Sequence, residues 1–392
     1  MTIKKDRKNW SVNTLLNHPV EVPLIDGNKP LIQPIYHSAK FTMSDSIPYW
    51  DQFVYGRISN PGLRRLELML AEFQDREDCI VVSSGIAALT GVFLGLLKSG
   101  DHMITFRDLY KPGRVFIKDY LSRFGVESSV LKMGDYQELE KAIISGKTKL
   151  IHFESPTNPN LEIVDIRKVL EIAKKNNVLV SMDGTFAGLH QHKKFDFDIM
   201  IQSLTKFGNG HGDVIAGAIS GKKDVVKKIR EMTLFLGAHL DPQAVYLIER
   251  GLKTYMLRYD RQSKSALEIA RFLSKHPKVN IVRYPGLLEN KWHDLALSQM
   301  EDMGAVISFE IKPEVAQSAD QFCHKLKLIQ IAASLGATET IICPTETFFG
   351  LDLSNVEREE MGINKFSLRI SIGLEDPVDL INDLNEALCS PS

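Results

Sequence analysis

From about residue 61 to Gly251 the sequence alternates between short apolar runs and stretches with helical spacing, and no other feature constrains the fold as strongly. Leu63, Leu66, Leu70 and Phe73 recur at helical spacing. Cys79 to Val82 follows as a short run rich in β-branched residues, and Ile86 to Leu97 is helical again. Further apolar runs lie near Leu150 to Phe153, Val178 to Met182 and Ile199 to Ser203, with helices predicted at Val115 to Phe124 and Ile166 to Lys175. Short, largely apolar strands separated by helices make a parallel sheet covered on both faces. Ligands of such sheets sit outside the carboxyl ends of the strands. A functional residue is therefore expected just after a strand.

Past Gly251 the pattern changes. A long helical stretch, Leu252 to Leu273, leads into short strands (Val279 to Tyr284, Ala305 to Ile311, Phe366 to Ile370) and a last helix, Pro377 to Leu388. This reads as a smaller α/β domain attached by the long helix. The first 60 residues carry aromatic and apolar side chains (Trp10, Ile35, Tyr36, Phe41, Trp50, Phe53, Tyr55) without a period that would bury them within the segment. They read as an extended arm. The expected organisation is an arm at 1–60, a large α/β domain at 61–251 and a small α/β domain at 252–392.

Charge and cysteine content narrow the function classes. The 48 Lys+Arg against 49 Asp+Glu leave a net charge of −1, which argues against a broad electrostatic grip on nucleic acid or an anionic membrane. Cys79, Cys323, Cys343 and Cys389 form no close pair and no Cys/His cluster, so neither a disulfide framework nor a metal is expected. No stretch reaches the ~20 apolar residues of a membrane helix. The charged start from Met1 to Trp10 lacks the apolar run of a signal peptide. A cytoplasmic enzyme is the expectation.

Four polar groups each follow a predicted strand. Ser84-Gly85-Ile86 opens a helix, where free backbone N–H groups and the helix dipole suit an anion, although an ordinary helix cap reads the same way. Asn158 sits in the turn Glu154-Ser155-Pro156-Thr157-Asn158-Pro159, where a turn-forming role is equally open. Asp183 ends its strand, and a carboxylate there is costly to bury unless it meets a cation. Lys206 closes Ser203-Leu204-Thr205-Lys206, ahead of the glycine-rich Gly208-Asn209-Gly210-His211-Gly212. Desolvation lowers a lysine pKa and frees the amine as a nucleophile. Together these groups supply what pyridoxal phosphate needs: an amine for a Schiff base, a carboxylate for the ring nitrogen, and donors for the phosphate.

With these residues in place the sequence resembles the Cys/Met-metabolism enzymes, the pyridoxal-phosphate-dependent trans-sulfuration family. The resemblance runs from about Gln33 to Leu388. Its motifs are Tyr55-Gly56-Arg57-Ile58-Ser59-Asn60-Pro61, Ser83-Ser84-Gly85-Ile86-Ala87-Ala88, Pro156-Thr157-Asn158-Pro159, Asp183-Gly184-Thr185-Phe186-Ala187, Ser203-Leu204-Thr205-Lys206, Ser334-Leu335-Gly336 and Arg369-Ile370-Ser371-Ile372-Gly373-Leu374-Glu375-Asp376. The resemblance implies an aspartate-aminotransferase-like (type I) fold, with a mostly parallel central sheet and a smaller C-terminal α/β domain. It implies that Lys206 carries the cofactor and shuttles protons, that Asp183 pairs with the ring nitrogen, and that Gly85, Ile86, Ser203 and Thr205 hold the phosphate. Tyr110 is expected to stack on the ring as a second catalytic residue. Asn158, Ser334 and Arg369 are expected to bind substrate, with Arg369 as the fork for the α-carboxylate. Tyr55 and Arg57 are expected to reach the phosphate of a neighbouring subunit in a homotetramer built as a dimer of dimers.

The substrate is expected to be a small sulfur amino acid. Carbon–sulfur cleavage of cystathionine is the leading expectation, with β-elimination ahead of γ-elimination. The alternatives are γ-replacement, by a cystathionine γ-synthase or an O-acylhomoserine sulfhydrylase, and a methionine γ-lyase. Several positions depart from the family pattern. The usual Tyr-Gly-Gly-Thr is Tyr110-Lys111-Pro112-Gly113-Arg114, Asp-Asn-Thr is Asp183-Gly184-Thr185, and Ala333 precedes Ser334. Outside these motifs, His190-Gln191-His192 is expected as solvated surface loop. His211 is expected to shape its loop, and Lys222, Lys223, Lys227 and Lys228 a solvated helix face. Glu67 and Glu72 lie on an amphipathic helix and need no catalytic role.

Overall fold

The computed structural model describes residues 30–390 apart from Gln33; Trp10, assigned to the arm, lies outside them. From Ile35 onward the chain forms one compact unit containing two sheets. The larger sheet has seven strands: β1 (Asp78–Val82), β2 (His102–Phe106), β3 (Glu127–Leu131), β4 (Thr148–Glu154), β5 (Leu179–Asp183), β6 (Ile199–Ser203) and β7 (Gly217–Gly221). Their order is β1-β7-β6-β5-β4-β2-β3, and only β7 runs against its neighbours. The central sheet is thus mostly parallel, and the ends of β1, β2, β4, β5 and β6 emerge along one edge. The edge strand β3 is largely exposed, and its polar Glu-Ser-Ser sequence gave no strand signal. The short, glycine-bounded β7 gave none either.

Helices cover both faces of this sheet, and several begin at a local signal. Asn60 accepts from Leu63 N at 2.9 Å with Pro61 at the first helical position, which starts the Pro61–Phe73 helix. Asp241-Pro242 and Asp376-Pro377 start two more helices in the same way. The stretch expected as one helix from Leu252 to Leu273 is broken at Lys253 and Thr254, leaving helices Pro242–Leu252 and Tyr255–Lys275. The helix expected at Val115 to Phe124 begins earlier, at Lys111, because Pro112 fits the first turn, and it loses regularity after Val115.

The smaller sheet is ordered β10-β11-β12-β9-β8, from β8 (Val279–Arg283), β9 (Val306–Ile311), β10 (Gln330–Ile331), β11 (Ile341–Pro344) and β12 (Ser367–Ser371). Its core packs Ile307, Phe309, Leu368 and Ile370 against Ile269 and Leu273 of the Tyr255–Lys275 helix and Leu380 and Leu384 of the Pro377–Cys389 helix.

The expectation for the polar stretch His190-Gln191-His192 needs revision. His190, Gln191 and His192 are buried, not solvated. His190 Nδ1 lies 2.7 Å from the Tyr255 hydroxyl, and its ring packs edge-on against Tyr259 at 4.6 Å. The polar spelling of this turn concealed its position beneath the Tyr255–Lys275 helix. Glu67 is also buried, held by Arg64 at 3.0 Å and Arg230 at 2.9 Å. That pairing satisfies a buried carboxylate without any catalytic role.

Candidate active site

Along the carboxyl edge of the large sheet lies a cavity of about 360 Å³. Its wall includes Gly85, Ile86, Tyr110, Asn158, Asp183, Ser203, Thr205, Lys206, Ser334 and Arg369. These residues come from loops far apart in sequence and meet because parallel strands deliver them to one edge. A larger cleft of about 610 Å³ lies elsewhere, beside Glu162, Arg283 and Trp292, and contains none of them.

At one end of the cavity the Gly85–Leu96 helix starts, capped by Ser84, whose Oγ accepts from Ala87 N at 3.0 Å. The N–H groups of Gly85 and Ile86 have no carbonyl within the helix to bond. A Cβ on Gly85 would stand 3.0 Å from Ser203 Cβ and Oγ, so only glycine leaves this cradle open. Thr205 Oγ1 accepts from Ala216 N at 2.9 Å, which fixes its side chain at the cavity wall.

Lys206 leaves helical geometry (φ −88°, ψ −132°) in the turn that follows β6. Its Nζ donates to Ser334 Oγ at 2.6 Å. Burial, with a contribution from nearby Arg369, lowers the amine to about 8. Behind it the buried Arg258 donates to the carbonyls of Phe207 (3.1 Å) and Gly251 (3.0 Å), locking the loop. His211 Nδ1 lies 2.7 Å from the Asn209 carbonyl oxygen and helps shape the same loop. Ser334 has φ 109°, a strained conformation for serine, held where its hydroxyl meets the amine.

Arg369, on β12, is buried between two rings, Phe349 at 4.3 Å and Phe186 at 5.4 Å from its Cζ. Nη1 donates to Asn158 Oδ1 and Nη2 to the Ser334 carbonyl, both at 2.9 Å. Among the described residues the small sheet thus supplies the one guanidinium in a cavity otherwise built mainly from the large sheet. Asp183 accepts from Thr185 N at 2.9 Å, and burial raises it to about 6. Sequence reasoning missed Glu154, whose Oε1 accepts from Tyr110 N at 2.5 Å and whose pKa burial and Asp183 push well up. It ends β4 where Asp183 ends β5, a coincidence of strand ends that the sequence contains. The apolar wall residues Leu89, Phe186, Ile215 and Phe349 were not singled out either.

Tyr55 and Arg57 lie outside this cavity on their own chain. Tyr55 is 44% exposed, and the Arg57 guanidinium lies 5.6 Å from its ring.

The family model for Cys/Met metabolism PLP-dependent enzymes matches residues 26–389. The chain belongs to that family. Its cofactor is pyridoxal phosphate, and it is a pyridoxal-phosphate-dependent lyase of sulfur amino-acid metabolism. It is 35% identical to an L-methionine gamma-lyase of Fusobacterium nucleatum subsp. polymorphum, over 98% of this chain and 99% of that one. It is 34% identical to the cystathionine beta-lyase MetC of Bacillus subtilis, over 97% of each. The fold matches a cystathionine gamma-lyase from Lactobacillus plantarum, solved with L-serine, with a TM-score of 0.86, 32% identity and coverage of 91% and 93%.

The cavity fits the cofactor on its own chemistry. Among the described residues no cation is bonded to the buried Asp183 carboxylate, the Gly85 cradle is open beside Ser203, and Lys206 has a depressed pKa. The family enzyme's departure at Gly184 also has a structural reason. A Cβ there would fall 2.7 Å from Gln202 Nε2 and 2.8 Å from Met200 Cε, so the glycine makes room for those two side chains. Among the described residues no helix is long and apolar enough to cross a membrane.

Proposed function

We propose that the enzyme cleaves the carbon–sulfur bond of a thioether amino acid whose sulfur carries an uncharged group, by γ-elimination of the methionine type. One observation carries this reading. Among the described residues the acidic and basic side chains of the cavity wall are Glu154, Asp183, Lys206 and Arg369; its other polar side chains, among them Tyr110, Asn158, Thr185 and Thr205, are uncharged, and Leu89, Phe186, Ile215, Ala333, Leu335 and Phe349 are apolar. Lys206 and Asp183 serve the cofactor, Arg369 serves the α-carboxylate, and burial and the neighbouring Asp183 push the Glu154 carboxyl well up, away from its charged form. Among the described residues the second amino-acid head of cystathionine would find no charged partner left free in the cavity, and an unpaired buried charge costs several kcal/mol.

Pyridoxal phosphate, when bound, supplies an electron sink for bonds to the α-carbon. The protein's own residues do the rest. Arg369 holds the carboxylate with its fork, kept rigid by Asn158 and the Ser334 carbonyl. Lys206 Nζ, near 8, releases and takes up protons over the substrate carbons at near-neutral pH, with Ser334 Oγ fixing its direction. The phosphate falls to Gly85, Ile86, Ser203 and Thr205, the ring nitrogen to Asp183 and the ring face to Tyr110. The rings of Phe186 and Phe349 flank the Arg369 guanidinium in the cavity wall and shield it from solvent.

Cystathionine β-elimination, the leading expectation from the motifs, is the second reading; likeness to the MetC lyase over nearly the whole chain favours it. It needs charged partners from another subunit. Product analysis separates the readings. Methionine should give methanethiol, 2-oxobutanoate and ammonia, whereas cystathionine cleaved at the β-carbon gives homocysteine, pyruvate and ammonia. Turnover of cystathionine alone would displace the methionine-type reading.

The organisation expected from the sequence belongs to the same proposal: an arm at 1–60 completes the neighbour's site with Tyr55 and Arg57, beside a cofactor domain at 61–251 and a small domain at 252–392. The homotetramer, a dimer of dimers, belongs to the same proposal.

A further inference from the structure

Two arginines flank Tyr110, and both reach across to the segment 345–360. Arg107 pairs with Glu360 and, at 3.9 Å, with Glu357, in a partly exposed setting. Arg114 is different. Its side chain is 8% exposed, and it grips Asp352 with two bonds, Nε to Oδ2 at 3.0 Å and Nη2 to Oδ1 at 2.9 Å. The same Nη2 donates to the Phe349 carbonyl at 2.7 Å, and Nη1 donates to the Leu109 carbonyl. One guanidinium therefore ties the Tyr110 segment to the backbone of Phe349, whose ring lies 4.3 Å from Arg369 inside the cavity. Arg114 belongs to the stretch Tyr110-Lys111-Pro112-Gly113-Arg114, where this chain departs from its family's motif. Pro112 starts a helix there, and that helix carries Arg114 inward.

We propose that the Arg114–Asp352 pair is a positioning latch that holds Phe349 against Arg369 and thereby limits the length of substrate side chain the cavity admits. The inference rests on Arg369 as the α-carboxylate site. With the carboxylate fixed there, the distance to the Phe349 ring sets the room left for the side chain. A planar, bidentate pair holds that distance more rigidly than a single contact does. Buried ion pairs are best attested as devices of register, and here the register is that of a wall residue.

The test uses the holoenzyme and unreactive straight-chain amino acids, so that it does not depend on which thioether is the substrate. Binding of norvaline, norleucine and 2-aminooctanoate is read from the change in the cofactor's visible absorbance. Asp352→Asn is expected to shift the ratio of dissociation constants toward the longest ligand by about 10-fold, an effect of the size one or two methylenes produce in a tight pocket. Phe349→Leu is expected to shift the ratio the same way. The double variant should add little to either, because the two residues act through one position. Where Asp352→Asn does not fold, Arg114→Lys, which loses the fork and the Phe349 carbonyl bond, takes its place with the same expectation. An unchanged ratio in a folded latch variant, or effects that simply add with Phe349→Leu, would overturn the latch. Arg369→Lys should weaken all three ligands alike. If it weakens none, the carboxylate assignment falls and takes the latch with it.

Discussion

Glu154 and Asp183 end neighbouring parallel strands in matched register, so two carboxyl groups stand side by side in the cavity wall. Burial raises both, and Asp183 raises Glu154 further, so the pair cannot carry two charges in the dry site. Glu154, pushed well up by burial and by Asp183, accepts from Tyr110 N and holds the tyrosine segment in place. Asp183 is left to take the charge when a cation meets it. One carboxyl thus holds the Tyr110 segment, and the other lies in the wall of the cavity proposed to take the cofactor.

The first prediction concerns stability. Asp183 sits at about 6 in the folded chain against an ordinary 3.8, so the folded state holds more protons than the unfolded chain between those values. Stability of the cofactor-free protein should fall as pH rises through that window, by on the order of 2–3 kcal/mol. Asp183→Asn should remove the loss, making the variant more stable than the wild type at pH 7.5 but inactive. Denaturant melts of both proteins at pH 4 and pH 7.5 check this; parallel stabilities would show that Asp183 is not strained by burial.

Cofactor capture should depend on pH through Lys206. The amine must be unprotonated to react, and its value lies near 8. The rate at which cofactor-free protein acquires visible absorbance should therefore rise with pH and level off above about 8. Lys206→Ala should remove the covalent band and turnover while leaving the fold intact. A flat rate between pH 6.5 and pH 9 would contradict the depressed value.

Arg369→Lys should act on substrate affinity. Lysine keeps a charge but cannot form the fork that Arg369 presents beside Asn158 and the Ser334 carbonyl. KM for amino-acid substrates should rise about 10- to 100-fold, roughly 1.4–2.8 kcal/mol. Loss of cofactor affinity with KM unchanged would move Arg369 to the phosphate.

Arg57 offers a test of site sharing, since it lies outside the cavity of its own chain. Arg57→Ala and Lys206→Ala subunits, each inactive alone, should regain part of the activity when mixed and reassembled. Some mixed sites would receive an intact arginine from one chain and an intact lysine from the other. Mixed assemblies with proven subunit exchange and no activity would end the idea.

Much of the site was legible because chemistry and strand ends coincide in the sequence. Lys206, Asp183 and Gly85 each follow an apolar run, and all three line the cavity. Arg369 was legible only through family resemblance, since it lies within β12, not after it. Glu154 was hidden because its meaning depends on which strand stands beside β4, and order in a sheet is not local information. The burial of His190 and His192 was hidden for a related reason: the Tyr255–Lys275 helix that covers them lies far along the chain. Strand β7 was missed because Gly-Ala-Ile-Ser-Gly has neither the length nor the side chains of a typical strand.

The antiparallel β7 has a consequence for how the molecule is made. In the large sheet β1 touches only β7, and β7 alone joins it to β6. Gly217 at the start of β7 packs so tightly that a Cβ would lie 2.3 Å from the Ser84 carbonyl oxygen. The Gly85 cradle therefore meets Ser203 only once β7 has slid between the two strands. On the ribosome, β1 must wait while the chain through Gly221 is synthesised, on the order of ten seconds at ordinary elongation rates. A nascent chain that stops short of Gly221 leaves both edges of β1 unpaired in this sheet.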